Sequence, residues 1–334
     1  MKKVTVIAAL VFFCALIPIY GQNPVVIKLA SMVPKNTDWG RAIDKLAVEW
    51  SRVTNGEVKL IVYADGTQGS EDQILQKLRT NHIQAGIFTS FGLTKMAPEI
   101  LTMSCPFLIQ NDAELDEVLR NVKGEFEAKI NANQFYQSLA LVKAGWVKFF
   151  SKDPVFVPAD LKKQKVGSAP SEPEMAQVFR AMGYQVVMVD NNRVLISLRQ
   201  GSINAIYMSP IFAAGSQYFG VAKNMASINV APVVAGIVVN KETWKKIPAH
   251  HQTSIINVTR RIGAELETSL LKLENDMIRQ MKNNGLQENQ LNAQQRQEWY
   301  TETAKAIPGL LGSTFDRATY TRIEGILRTY RSRQ

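Results

Sequence analysis

The chain has 334 residues, of which 46% are hydrophobic and 20% are charged, and its formal net charge is +10. This composition fits one large or two medium folded cores and excludes an intrinsically disordered chain. Lysine and arginine are spread along the sequence without a basic helix or interleaved aromatic residues, so the charge predicts a basic surface and no nucleic-acid partner.

The first residues have the pattern of a secretory leader. Lys2 and Lys3 precede the apolar run 4–19, and the small residue Gly21 follows it. We predict a signal peptide at residues 1–21 and export to the periplasm. Because residues 4–21 approach the length that spans a bilayer, an uncleaved membrane anchor is the alternative.

After the leader, short apolar runs alternate with amphipathic helical spacing. A helix capped by Asn36 or Thr37 and another capped by Ser70 separate three predicted strands, at 25–31, 60–63 and 85–89. This alternation is typical of an open α/β sheet, in which ligands bind beyond the carboxyl ends of strands and at helix N-termini. That rule nominates a first group of ligand-binding residues: Met32, Thr67, Gln68, Thr89, Ser90 and Phe91.

Residues 145–151 are predicted to form a strand that crosses between two lobes. Alternation places Trp146, Lys148 and Phe150 on one face and Val147 with Phe149 on the other. The sequence alone does not decide which face lines a ligand cleft.

Residues 167–209 are predicted to form a turn, a helix, a strand, a second helix and a strand. Ser171 and Glu174 have the spacing of a capping box, and Asp190 is predicted to cap the second helix. The last strand runs from Ile203 to Met208. Glu172 and Glu174 at this helix start, like Asp65 and Glu71 earlier, are interpreted as acidic residues that complement helix dipoles.

The C-terminal part is predicted to be largely helical. An apolar segment, 230–239, recrosses to the first lobe and precedes a helix over about residues 249–283, which braces both lobes. A further helical segment follows residue 286, and the basic tail 328–333 is interpreted as solvated cover.

The order of these segments resembles the substrate-binding subunits of tripartite ATP-independent periplasmic (TRAP) transporters, the DctP-like family. No single motif is specific, and the shared order carries the resemblance from about Val25 to about Gly285. The matching segments are Val25 to Ser31, Thr54 to Val58, Gly69-Ser70-Glu71, Thr80 to Gly86, Pro106-Phe107-Leu108, Gly145 to Ser151, Val157 to Lys162, Gly167 to Ser209 and Leu198 to Gly201.

The resemblance implies an α/β fold of the two-lobe periplasmic-binding-protein type, with a ligand cleft between the lobes. Lobe 1 is expected to comprise residues 24–146 and 233–334, including the long helix and the C-terminal helical segment. Lobe 2 is expected to comprise residues 147–232. The resemblance also implies integral-membrane permease subunits as partners, and for some relatives a tetratricopeptide-repeat partner protein.

Two departures from the family affect the expected ligand. Where the resemblance implies an arginine that binds organic acids, this chain has Gly167, and Met208 lies where a polar residue is common. A guanidinium makes charge-assisted bonds to a carboxylate that a hydrogen atom cannot replace. We therefore predict an apolar or neutral small ligand, contacted also by Met96, Trp146, Lys148, Phe150, Tyr207 and Phe212.

Several alternatives remain at this stage. An organic acid could bind through a substitute cation, for which Lys148 is the best candidate, or the protein could be a hydrophobic-ligand or lipid carrier without a permease. A binding protein of an ATP-driven transporter would share the same fold. An exported enzyme is disfavoured, because the sequence predicts no catalytic residues, no metal site and no cofactor.

Overall fold

A computed structural model describes residues 23–334, so the predicted signal peptide lies outside the described residues. The strands are β1 (Val25–Ala30), β2 (Val58–Tyr63), β3 (Ala85–Thr89), β4 (Tyr136–Ser151), β5 (Lys165–Ser168), β6 (Gln185–Met188), β7 (Ala205–Met208), β8 (Asn224–Ala226), β9 (Ala231–Asn240) and β10 (Gln287–Asn289).

The helices lie between and after these strands. They are α1 (Asp38–Val53), α2 (Glu71–Arg79), α3 (Ser90–Thr94), α4 (Asp112–Ala132), α5 (Pro158–Lys162), α6 (Pro173–Ala181), α7 (Val194–Gln200), α8 (Pro210–Gly215), α9 (Lys241–Trp244), α10 (Ala249–Asn283), α11 (Ala293–Leu310) and α12 (Arg317–Arg331). Short 3₁₀ turns occur at Pro98–Ser104, Asn191–Arg193 and Tyr218–Gly220.

The strands form a two-lobe α/β structure, which confirms the predicted fold class. Their order is β2-β1-β3-β9-β4-β7-β5-β6, with β8 paired to β4 and β10. Strands β1, β2 and β3 run parallel to one another in one lobe, as do β5, β6 and β7 in the other. The long strand β4 belongs to both lobes, because it pairs with β9 along its first part and with β7 and β8 at its end.

The strand register locates a gap between the two lobes. Thr89, the last residue of β3, is opposite Ala235, which in turn pairs with Val142 of β4. At the other end Met208, the last residue of β7, pairs with Lys148. The carboxyl ends of β3 and β7 therefore point toward each other, separated by about 20 Å of strand at roughly 3.3 Å per residue.

Helix α10 packs on both lobes and on the strand that joins them. The Trp50 indole of α1 donates to Thr259 at 2.9 Å, whereas Met281 is buried in the core beneath β7 and α7. Between these ends, the Lys143 amide of β4 donates to Glu267 at 2.8 Å. The predicted long helix at 249–283 is confirmed, and apolar residues at steps of three and four explain which side is buried.

The C-terminal helices α11 and α12 are part of the core, whereas most residues of the basic tail 328–333 are exposed, as interpreted from the sequence. Trp299 of α11 is 0% exposed and stacks on Phe149 with ring centroids 5.5 Å apart. In α12, the Arg331 guanidinium makes two 2.8 Å bonds to the carboxylate of Glu114. The aromatic and arginine side chains of this segment therefore fix the two helices to opposite lobes, α11 against α6 and α12 against α4.

The predicted N-caps are observed for α1 and α2 but not for α6. Ser70 caps α2 in a reciprocal capping box with Gln73, and Thr37 caps α1. The predicted box of Ser171 and Glu174 is wrong, because α6 begins at Pro173 with Glu172 as its N-terminal boundary residue and no side-chain cap. Proline has no amide hydrogen and fits the first helical position, which moves the start beyond Ser171.

Candidate functional site

The cleft between the lobes is bounded by strand ends and by the bridging part of β4 and β9. The pairing of β4 with β9 shifts register between Lys143 and Trp146, at a bulge. Gly145 in this bulge has φ +98°, and a Cβ at this position would lie 2.6 Å from Glu274 Oε2 of α10. Glycine is therefore needed where Glu274 of α10 approaches this bulge.

Glu71 of α2 lies at the cleft edge of the first lobe. Its Oε1 accepts a hydrogen bond from the Thr89 amide at 2.9 Å, and its Oε2 accepts from the Thr89 hydroxyl at 3.2 Å and the Gly92 amide at 3.1 Å. These donors all come from the end of β3 and the start of α3. The carboxyl group is thereby fixed at the carboxyl end of a strand, where ligands bind in open α/β sheets.

Glu172 and Tyr207 form the corresponding group in the second lobe. The Tyr207 hydroxyl donates to Glu172 Oε2 at 2.5 Å, and its ring meets Phe179 edge-on at 4.6 Å. Ser168, the last residue of β5, is 3% exposed, and its Oγ lies near the Tyr207 phenol without a hydrogen bond of ordinary geometry. A buried hydroxyl without a partner is uncommon in native structures, so this one marks a place where a ligand could donate or accept a bond.

Both cleft carboxyl groups have raised pKa values, and the charge of Glu172 acts on Glu71. Burial raises the pKa of Glu71 to about 7, the hydrogen bonds from Thr89 and Gly92 oppose the rise, and the negative charge of Glu172 adds to it. Burial also raises the pKa of Glu172, against the effect of the Tyr207 hydrogen bond. Among the described residues, neither carboxylate forms an ion pair.

Tyr207 has its own pKa raised far above the usual range. Burial is the largest cause, and the Glu172 carboxylate adds to it, while the Ser168 hydroxyl acts in the opposite direction. The phenol is therefore a firm hydrogen-bond donor over the whole physiological pH range.

Lys148, the predicted substitute cation, points toward a different group of charges. Its ammonium donates to Asn229 Oδ1 at 2.7 Å, and burial lowers its pKa. The charges that act on it are Glu274, Glu288, Arg296 and Asp112. Among the described residues, Lys148 forms its hydrogen bond with Asn229 and no ion pair with Glu71 or Glu172.

The pairing of β4 with β7 shows which β4 side chains lie on each face of the sheet. Phe149 is opposite Tyr207 and shares its face, with Phe179 and Trp299 over it, whereas Phe150 is opposite Ile206 on the other face. Val147 therefore lies on the Tyr207 face. Phe150 is 0% exposed and packs in the core formed with α7, α8 and α10.

The predicted residues of the first lobe cluster around the ends of β1 and β3. Met32 is 47% exposed, and its sulfur would lie 3.3 Å from a Cβ at Gly66. The Thr67 hydroxyl donates to Ala64 within the turn after β2, and Gln68 of the same turn accepts a bond from Lys77 of α2. Thr89 binds Glu71, and Phe91 is partly buried against the main core.

The remaining predicted residues divide between the cleft edge and the core. Met208 is partly buried at the end of β7, and Phe212 of α8 is 54% exposed. Met96 and Trp146 are 5% and 2% exposed, and the Trp146 indole donates to Asp112 at 3.0 Å. A Cβ at Gly167 would lie 2.8 Å from Ile203 Cδ1, so this position faces the core, opposite to the side of Ser168 and Tyr207.

Sequence reasoning missed Glu71, Glu172 and Ser168 as cleft residues. Both acids begin helices, where dipole complementarity is the ordinary explanation. For Glu71, the bonds join α2 to the end of β3, and this contact between separate elements has no local sequence pattern.

The described residues contain no group of three or more histidine, cysteine or acidic side chains arranged to hold a metal ion. Within residues 23–334, no helix has both the length and the apolar character needed to cross a membrane.

Comparisons with known proteins agree with this architecture. The model of the bacterial extracellular solute-binding protein family 7 matches residues 29–309. A solute-binding protein of Roseobacter denitrificans is 23% identical over 275 residues, which cover 81% of each chain. Both descriptions are of solute-binding proteins.

Two solved structures share the fold at low sequence identity. One is a TRAP periplasmic solute-binding protein of Ralstonia eutropha with bound (S)-2-acetolactate. It superposes with a TM-score of 0.81 at 18% identity, and the match covers 91% of this chain and 99% of the Ralstonia chain. One from Sulfurospirillum deleyianum with bound succinate has a TM-score of 0.79 and 19% identity, covering 90% and 98%. The chain therefore belongs to family 7 of the bacterial extracellular solute-binding proteins, the DctP family.

Proposed function

We propose that this protein captures a small, largely apolar ligand that is not an organic acid by closing its two lobes, and delivers it to membrane permease subunits. The single observation that carries the ligand class is the pair Glu71 and Glu172 at the cleft edges, with no ion-pair partner among the described residues. A bound carboxylate would add a negative charge to a site that already holds two poorly solvated acids.

The side chains around these acids support an apolar ligand body. Phe91 and Val147 are partly buried next to the main core, and Met208 and Phe212 lie at the edge of the second lobe. Such pockets commonly combine apolar walls with a few polar groups that orient the ligand. The succinate and acetolactate bound to the two solved relatives differ from this class, and Lys148 is directed to Asn229 rather than to the cleft acids.

Lobe closure and export are parts of the same proposal. We infer that the lobes divide near residues 146/147 and 232/233, where β4 and β9 pass between them, and that closure bends these crossings. Residues 1–21 would direct export to the periplasm as a cleaved leader or a retained anchor. The tetratricopeptide-repeat partner used by some relatives stays a prediction from the family resemblance.

The test is to identify what the purified protein retains. Mass spectrometry of the organic extract from denatured protein should reveal a stoichiometric ligand without a carboxylate. Adding this ligand back to stripped protein should raise the thermal midpoint and reduce the radius of gyration in solution scattering, because a ligand that favours the native closed state stabilises it.

A matched pair of variants locates the binding. Phe212→Ala removes an exposed ring at the cleft edge, whereas Phe135→Ala removes an exposed ring just before β4, at the far end of the first lobe. Retention should fall in Phe212→Ala and stay at the wild-type level in Phe135→Ala. Equal retention in both, or stabilisation only by organic acids, would contradict the proposed ligand class.

A further inference from the structure

The two cleft carboxyls are held by their own lobes before any ligand arrives. Glu71 receives all three of its hydrogen bonds from the first lobe, at Thr89 and Gly92. Glu172 receives its bond from Tyr207 of the second lobe. Each acceptor is thus preorganised independently of closure, and closing the lobes brings one toward the other.

Glu172 stands at the N-cap position of α6, but its side chain does not cap the helix. It is the N-terminal boundary residue of α6, where a side chain ordinarily accepts a bond from the first helical turn, yet it makes no such bond. Its carboxyl instead meets the phenol of Tyr207 on the face of the sheet that also carries Val147. Helix capping therefore does not explain the placement of this acid.

The hydroxyl of Ser168 is a second, independent indication of a ligand. It ends β5 on the side of Tyr207 and is 3% exposed, and its Oγ lies near the Tyr207 phenol without a hydrogen bond of ordinary geometry. A buried hydroxyl of this kind costs free energy unless a partner satisfies it. The partner group must fit beside a phenol and a carboxylate.

The charge balance identifies that group. The site has two carboxyls, a phenol and the buried Ser168 hydroxyl, and among the described residues no lysine or arginine forms an ion pair with either acid. Buried charges are retained when they are paired with opposite charge or with strong donors. We propose that the cleft binds an ammonium group, borne by a small apolar amine, between the carboxyls of Glu71 and Glu172.

The inference rests on the proposed function, since it names the ligand class of the same cleft. An ammonium offers three donors, enough for one oxygen of each carboxyl and the Ser168 hydroxyl. The apolar part of the amine would face Phe91 and Val147, which pack against the same core as Tyr207.

The test uses matched straight-chain compounds and the purified protein. n-Alkylamines, n-alkanols and n-alkanoates of the same lengths are compared by thermal unfolding near neutral pH, and active compounds are titrated by calorimetry. Amines should raise the midpoint most, alkanols less and alkanoates not at all. Alkanoates that stabilise as strongly as amines, or amines that fail at every chain length, would overturn the inference.

Variants connect the preference to the two acids. Glu71→Gln and Glu172→Gln should each weaken amine binding about tenfold or more, because a neutral amide makes weaker bonds to an ammonium. Asp72→Asn removes an exposed carboxyl next to Glu71 and should leave the affinity unchanged. If Glu172→Gln folds poorly, Glu172→Asp tests the same carboxyl by keeping its charge and shortening its reach. Amine binding that stays at the wild-type affinity in both Glu71→Gln and Glu172→Gln would refute the assignment.

Failure of this inference can be separated from failure of the proposed function. A retained ligand that closes the lobes but has no amine would leave the transport role standing and exclude the ammonium site. Absence of closure with every extracted or added ligand would contradict the transport role itself.

Discussion

The hydroxyl of Tyr207 and the carboxylate of Glu172 are joined by a 2.5 Å hydrogen bond at the cleft edge of the second lobe. The bond connects the last part of β7 to the first residue before α6. It also fixes an acid in a poorly solvated position, since burial raises the pKa of both groups. The stability of the second lobe and the polarity of the cleft consequently depend on the same pair.

Tyr207→Phe should destabilise the protein by about 1–3 kcal/mol, because the buried carboxylate of Glu172 loses its donor. The ring contact with Phe179 is kept in this variant, so the loss of stability measures the contribution of the hydroxyl alone. Chemical denaturation at neutral pH measures the change. In a double-mutant cycle with Glu172→Gln, the two changes should be strongly non-additive, and additive effects would show that the bond contributes little.

Glu71 should make stability decrease as pH rises. Its pKa is raised from the ordinary 4.5 to about 7 in the folded protein. Between these values the folded state binds the proton more tightly than the unfolded state. The contribution is therefore fully present below about pH 4.5 and is lost as pH approaches 7, by roughly 3 kcal/mol in all.

Denaturation of Glu71→Gln between pH 4.5 and 7.5 measures this effect as the difference from the wild type. Besides burial, the charge of Glu172 raises the pKa of Glu71, and the hydrogen bonds from Thr89 and Gly92 lower it. The variant should lose most of the slope, and Asp72→Asn should retain it, since Asp72 is exposed. The same slope in wild type and Glu71→Gln would show that Glu71 titrates normally.

Arg331→Ala should destabilise the protein by about 1–3 kcal/mol. The guanidinium makes paired bonds to Glu114, whose side chain is 5% exposed, and it also donates to the Leu108 carbonyl. Because the Arg331 side chain itself is 43% exposed, the loss should be smaller than for a fully buried pair. Arg333→Ala, in the exposed last residues, is the control and should be neutral within about 0.5 kcal/mol.

The elements that could be predicted from the sequence are those with a strong local pattern. The 35-residue helix α10 was predicted at its observed bounds because its apolar spacing is long and regular, and the Ser70 cap followed from a complete local motif. The contacts of the cleft could not be predicted in this way. Glu71 with Thr89, and Glu172 with Tyr207, join residues 18 and 35 positions apart, and the sequence does not specify which strand end a glutamate reaches.

The face of a strand is the other property that the sequence left open. Gly167 attracted attention because it occupies the position that the family resemblance assigns to an arginine. In the structure, the next residue, Ser168, is the one on the side of Tyr207 and the cleft, because side chains alternate along β5. A one-residue difference therefore separates the core face from the ligand face.

This alternation gives a paired prediction for introducing an arginine. In Gly167→Arg, the first side-chain atom would lie 2.8 Å from Ile203 Cδ1 and 3.5 Å from Ile206 Cγ2, both on fully or almost fully buried residues. A terminal methyl can move for a single carbon atom, but the core has no room for a guanidinium, and burying its charge costs more. We expect a loss of more than about 3 kcal/mol or failure to fold.

Ser168→Arg should behave differently, because its side chain starts on the face of Tyr207 and Glu172. The guanidinium can pair with the Glu172 carboxylate, which offsets part of the cost of replacing a small buried residue. We expect a folded protein whose thermal midpoint rises with succinate, a stabilisation that wild type lacks. Thermal unfolding of both variants with and without succinate decides the matter: a stable Gly167→Arg protein that binds succinate would mean that position 167, and not 168, faces the cleft.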